Sequence, residues 1–83
     1  MWVVYALYNR NIHRFYIGQT NNLYRRIREH KEKRGKHFTA KAKGVWELVY
    51  REECTSRRDA ITREKQLKSY RGREFIKKFT IPL

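Results

Sequence analysis

Residues 16–30 read YIGQTNNLYRRIREH, and in this stretch a strand pattern gives way to a helix pattern. Phe15, Tyr16 and Ile17 have the aromatic and β-branched character of a strand, and Gly18 offers no side chain where the chain is expected to leave it. Gln19 and Thr20 lead to Asn21 and Asn22, either of which can cap a helix by accepting from the exposed amides of its first turn. Leu23 and Ile27, four apart, define an apolar stripe. At 100° per residue, Arg26 and His30 fall within about 60° of that stripe. A guanidinium and an imidazole are therefore expected on the edge of an inward face, where charge is seldom kept without a reason.

Before this stretch, residues 2–8, WVVYALY, are apolar throughout and too short for an independent helix, which predicts a central strand covered on both faces. Asn9, Arg10 and Asn11 supply turn residues, so residues 13–18 are expected to return as the second arm of an antiparallel hairpin. After it, the first helix is expected from about Asn22 to Arg34, stopping at Gly35. Residues 35–44, GKHFTAKAKG, carry lysines and glycines with no hydrophobic period and read as a basic loop, with Lys36, Lys41 and Lys43 as candidate phosphate contacts. VWELVYRE, residues 45–52, alternates Trp46, Leu48 and Tyr50 and predicts a third strand. Thr55 or Ser56 is expected to open a second helix, Ser56 with Asp59 resembling a capping box, and its inward stripe is Ala60, Ile61, Leu67 and Tyr70. Gly72 is expected to break it, leaving a short third helix with Phe75, Ile76 and Phe79 inward. Trp46, Leu48, Phe75 and Phe79 are assigned to the core.

Eighty-three residues make one small domain, residues 1–83, with room for one core. Lysine and arginine number 21 against 8 acids, a net charge of +13, so nucleic acid is the leading partner. The cations are spread through every expected element and do not line one face of a basic amphipathic helix, which argues against a membrane surface. One cysteine, Cys54, cannot form an internal disulfide, and no apolar run has the length of a signal peptide or membrane span; the expectation is an intracellular, cytoplasmic protein. His13, His30 and His37 lack zinc-ligand spacing. Arg71 and Arg73 in the C-terminal part join the candidate nucleic-acid contacts.

One carboxylate breaks the pattern. Glu64 is four residues after Ala60 and three from both Ile61 and Leu67, so helical geometry places it on the apolar stripe. A carboxylate there needs a cation, either an arginine such as Arg63 or Arg26 or a bound metal ion, and periodicity does not separate the two. Tyr5 and Tyr16 taken alone read as core residues, Arg26 as a phosphate-positioning or pairing residue, and His30 as a complement to the helix dipole.

Taken in order, VVY at 3–5, YIG at 16–18, RRIREH at 25–30, VWELVY at 45–50 and AITREKQLK at 60–68 resemble the GIY-YIG nuclease domain, in the form of its short stand-alone bacterial members. The resemblance implies an α+β fold, a small three-stranded antiparallel sheet flanked by about three helices, and hydrolysis of DNA phosphodiester bonds with a single divalent metal, Mg²⁺ or Mn²⁺. It implies an endonuclease at work in DNA repair or on branched or damaged DNA, with a protein partner as a possible source of specificity. A non-catalytic nucleic-acid-binding module on the same scaffold is the alternative. By the family pattern Tyr5 and Tyr16 are the active-site tyrosines, Arg26 and His30 the basic groups, and Glu64 the metal ligand. Tyr5 then takes a proton from the attacking water, on condition that nearby cations lower its phenol pKa from its usual value near 10.

Overall fold

The computed structural model describes residues 1–32 and 44–80. Its elements run β1 (Trp2–Asn9), β2 (Arg14–Thr20), α1 (Leu23–Lys31), β3 (Trp46–Cys54), α2 (Arg57–Lys68) and α3 (Tyr70–Lys77). The three strands form one antiparallel sheet in the order β2-β1-β3. The continuous apolar run thus becomes the central strand, as expected of a strand with no solvent-facing side. Val4 and Ala6 on one face pack with Ile17, Ala60, Leu67 and Ile76 beneath α2 and α3. Tyr5 and Leu7 on the other face pack with Trp46, Tyr16 and Leu23 beside α1.

The local chemistry accounts for the boundaries. The hairpin closes with Asn9 paired to Arg14, and the Asn9 side chain accepts from the Asn11 amide at 2.9 Å, a side-chain mimic of a backbone turn. Asn22 caps α1 by accepting from the Arg25 amide, and Ser56 caps α2 by accepting from the Asp59 amide. Asp59 directs its own carboxylate to the Thr55 hydroxyl at 2.7 Å, so only half of a reciprocal capping box forms.

Four readings of the sequence are corrected. The second strand does not end at Gly18; Gln19 and Thr20 continue the ladder opposite Val4 and Val3. The alternation of Trp46, Leu48 and Tyr50 does not keep one face. Ala6 pairs with Tyr50 and Leu7 with Leu48, so Val49 is an extra residue in β3 and the bulge turns Tyr50 to the face opposite Trp46. Trp46 is buried and Phe75 half-buried, but Leu48 and Phe79 are exposed to 41% and 47%, Phe79 stacking near Tyr50 and Phe75 at the core's rim.

The second helix is broken at Ser69, not at Gly72. Ser69 is the C-cap of α2 and the N-cap of α3, its hydroxyl accepting from the Gly72 amide. Gly72 lies inside α3 because a Cβ there would come within 2.2 Å of the Gln66 carbonyl oxygen and 2.4 Å of Leu67 Cα. The glycine permits a close helix crossing, and the earlier break leaves Tyr70 exposed instead of inward. The end of the first helix expected at Arg34 and Gly35, and the basic loop with Lys36, Lys41 and Lys43, lie outside the described residues.

Candidate functional site

Tyr5 sits on the central strand with its ring under α1, and its ladder partner on β2 is Gly18. A Cβ at Gly18 would stand 2.9 Å from the Tyr5 hydroxyl and 3.0 Å from the Tyr16 ring. The glycine of the YIG triplet therefore makes room for both phenols. The two rings lie 6.2 Å apart, and Tyr16 meets the His30 imidazole edge-on at 4.8 Å.

From α1, His30 and Arg26 reach the same point. The Tyr5 hydroxyl lies 3.0 Å from His30 Nε2, and Arg26 Nε donates to it at 3.3 Å. Arg26 Nη2 donates to the Tyr16 hydroxyl at 3.5 Å and Nη1 to Glu29 at 3.2 Å. The Tyr5 oxygen accepts from Arg26, and the tautomer of the imidazole sets the direction of its hydrogen bond with His30. Tyr5 and His30 are buried, Arg26 half-buried, and the flanking Arg25 and Arg28 exposed. Four side chains singled out in the sequence, Tyr5, Tyr16, Arg26 and His30, thus form one hydrogen-bonded and ring-stacked cluster.

Burial pushes the Tyr5 phenol well above its ordinary value. The Arg26 hydrogen bond and charge act in the opposite direction but do not overcome desolvation. The condition attached to Tyr5 as a proton acceptor, a lowered pKa, is therefore not met. Burial works against the charge on Arg26, and the hydrogen bonds to Tyr5, Tyr16 and Glu29 more than offset it. Its guanidinium stays protonated and pinned by three acceptors.

Glu64 lies on α2, which packs against the other face of the sheet. Its side chain is half-buried, and Oε2 accepts from Lys68 Nζ at 2.8 Å. Neither expected arginine is its partner, because Arg63 bonds Glu52 and Arg26 bonds Glu29. Lysine four residues on is the nearer cation on a helix surface, which is the physical reason for the difference.

A groove of about 480 Å³ runs along the rim of the edge strand β2 and joins the two sides. Tyr16 lines it from the sheet, Lys68 and Arg73 from the helices. Arg14 and Lys77 complete its cationic wall. Of the two arginines expected to bind nucleic acid, both are exposed, but Arg73 faces this groove while Arg71 lines a separate hollow with Leu67 and Phe75. Sequence reasoning missed Arg14 and Lys68, and reached Lys77 only as part of the basic tail, residues 71–78. The one signal for Lys68 was helical spacing, four residues from Glu64.

The donors available to a metal fit a hard cation. Among the described residues no three His, Cys, Asp or Glu side chains gather as a metal-binding group. What α2 and the face beneath it offer is oxygen: the Glu64 carboxylate, and Gln19 Oε1, a buried acceptor with no hydrogen-bond partner, opposite Val4 on the face that α2 covers. A carboxylate oxygen donor, the remaining shell left to water and substrate, suits Mg²⁺ or Mn²⁺ and not a soft ion.

A family model described as the GIY-YIG catalytic domain matches residues 1–78. The chain belongs to the GIY-YIG family. UPF0213 protein DP2720 of Desulfotalea psychrophila is 42% identical over 66 residues, which cover 75% of this chain and 59% of that protein. The chain thus spans about three fifths of the length of the curated relative it matches. No solved structure matches. GIY-YIG membership carries a nuclease fold. The observed three-stranded α+β fold agrees with it. No helix among the described residues is long and apolar enough to cross a membrane.

Proposed function

We propose that this chain is a divalent-metal-dependent endonuclease that hydrolyses DNA phosphodiester bonds, acting in DNA repair or on branched or damaged DNA. The observation that carries the reading is the convergence of Tyr5, Tyr16, Arg26 and His30 beside a cationic groove. Bound at Glu64, Mg²⁺ or Mn²⁺ would neutralise phosphate charge and stabilise the departing alkoxide. Tyr16, the phenol that lines the groove, orients the attacking water. Arg26 holds the non-bridging oxygens where negative charge grows, an interaction whose loss costs on the order of 10² to 10³ in rate. Tyr5 and His30 act through Arg26: the buried phenol fixes the guanidinium and the imidazole fixes the phenol. The exposed Arg71, Arg73, Lys68 and Lys77, with Lys36, Lys41 and Lys43, track the DNA backbone, and cut-site choice falls to a protein partner.

Cleavage of supercoiled plasmid in Mg²⁺ or Mn²⁺ tests the reading. The wild type is expected to nick DNA and Glu64→Gln to be inactive with its circular dichroism unchanged; equal cleavage by the variant removes the mechanism. A binding-only reading is favoured by one observation, the complete burial of Tyr5 together with a Glu64 already paired to Lys68. On that reading the wild type binds DNA with steep salt dependence and cleaves none in either metal.

A further inference from the structure

Among the described residues Lys68 is the one that belongs both to the carboxylate and to the groove: its Nζ lies 2.8 Å from Glu64 Oε2, and its side chain lines the cavity beside Tyr16. The two partners differ in freedom. The lysine side chain is 52% exposed and the glutamate 23%, so the cation can swing away while the carboxylate stays half-buried on α2. Lysine suits such a movement because it is a point charge on a flexible stem with three rotatable donors. A helical pair of this kind adds only about a factor of two to stability, so a stronger anion can displace it. The groove invites that anion: Arg14, Arg73 and Lys77 line it with Lys68, and no acid is among the residues that line it.

We infer that Lys68 is a shared cation, passing from Glu64 to a backbone phosphate of bound nucleic acid, so that filling the groove releases the carboxylate for the divalent ion. This rests on Glu64 as the metal ligand. With its partner gone, a half-buried carboxylate is left uncompensated and recruits a replacement charge. Empty protein then binds the ion weakly, and substrate raises that affinity. Linkage requires the converse as well, that the ion raises affinity for nucleic acid by the same factor. Lys68 is a positioning residue here, acting on the ion through Glu64. Lys77 provides the contrast, since it lines the groove but bonds Glu74.

The test measures binding on the full chain, without turnover. Free Mn²⁺ is followed by electron paramagnetic resonance during titration of protein in the absence of nucleic acid. Lys68→Gln is expected to bind Mn²⁺ about twofold more tightly than wild type, Lys77→Gln to match wild type, and Glu64→Gln to lose the site. In EDTA, anisotropy of a fluorescein-labelled DNA duplex is expected to show Glu64→Gln binding about twofold more tightly than wild type, with no such gain when Glu64→Gln is added to Lys68→Gln. Mn²⁺ affinity unchanged by Lys68→Gln, with Glu64→Gln still abolishing binding, overturns the shared-cation inference and leaves the ligand assignment standing. An equal DNA gain in both backgrounds also overturns it. Mn²⁺ binding that ignores Glu64→Gln overturns the ligand assignment and the inference together.

Discussion

Replacing Tyr5 by phenylalanine removes one oxygen from a site that is 0% exposed, and the structure sets the size of the effect. The ring stays and its packing against Leu7 and Trp46 is kept, so no cavity term larger than a hydroxyl enters. Two hydrogen bonds are lost. His30 Nε2, in a residue only 2% exposed, loses a partner at 3.0 Å, a loss worth about 1 to 2 kcal/mol. Arg26 Nε loses an acceptor at 3.3 Å; the contact is long and the arginine keeps Glu29 and Tyr16, so about 1 kcal/mol is enough for it. The sum is about 2 to 3 kcal/mol, which in a domain of this size lowers Tm by about 8 to 20 °C. Urea denaturation followed by circular dichroism, with m unchanged, measures it. Cleavage is expected to fall in kcat with duplex affinity and its salt slope unchanged, because Arg26 loses its orientation while the groove does not change. A loss below about 0.5 kcal/mol, the range of ordinary surface substitutions, refutes the assignment of Tyr5 as the strut of the cluster.

Because burial raises the Tyr5 pKa, the native state favours the protonated phenol, so its contribution is complete below the ordinary value near 10 and is lost as pH climbs above it. Stability against pH should therefore fall more steeply above 10 in wild type than in Tyr5→Phe, and parallel curves contradict the burial. Gly72→Ala drives a Cβ into the backbone of Gln66 and Leu67 and is expected to cost about 3 kcal/mol or more in urea denaturation; a variant as stable as wild type contradicts the crossing. Arg26→Lys should reduce cleavage by about 10² to 10³ while Arg25→Lys leaves it unchanged, since only the former is tied to both phenols. Arg73→Gln should flatten the dependence of log affinity on log salt by about 0.9 for duplex DNA, the mark of one phosphate contact; an unchanged slope removes Arg73 from the DNA track.

Local chemistry was the legible part of the sequence. The helix starts were legible to within one residue, Asn21 or Asn22 and Thr55 or Ser56, because a cap needs only a short side chain and the next turn. The run from Trp2 to Tyr8 announces a central strand because no face of it could meet water. Arg26 and His30 stood out by stripe geometry alone, and their burial agrees with it. Wherever a neighbour decides the conformation, the sequence was silent. Gly18 looks like a strand end until the two phenols that occupy its missing Cβ are in place, and Gly72 looks like a helix breaker until α2 crosses it. The bulge at Val49 has no signature in VWELVY, since the alternation reads correctly up to the inserted residue. The partner of Glu64 and the cationic wall of the groove are likewise tertiary: Arg14 and Lys77 are far apart in sequence and meet only along the rim of β2.

The joint at Ser69 has a consequence for how this family member can vary. One residue ends α2 and begins α3, and Gly72 clamps the corner from inside. Adding a single amino acid there would rotate the last helix by about 100° about its axis, carrying Ile76 out to solvent and Arg71 into the place of Gly72 against α2. Length changes should therefore be tolerated at the hairpin tip, residues 10–13, and rejected at the elbow. The C-terminal helix behaves as a bolt turned to one setting.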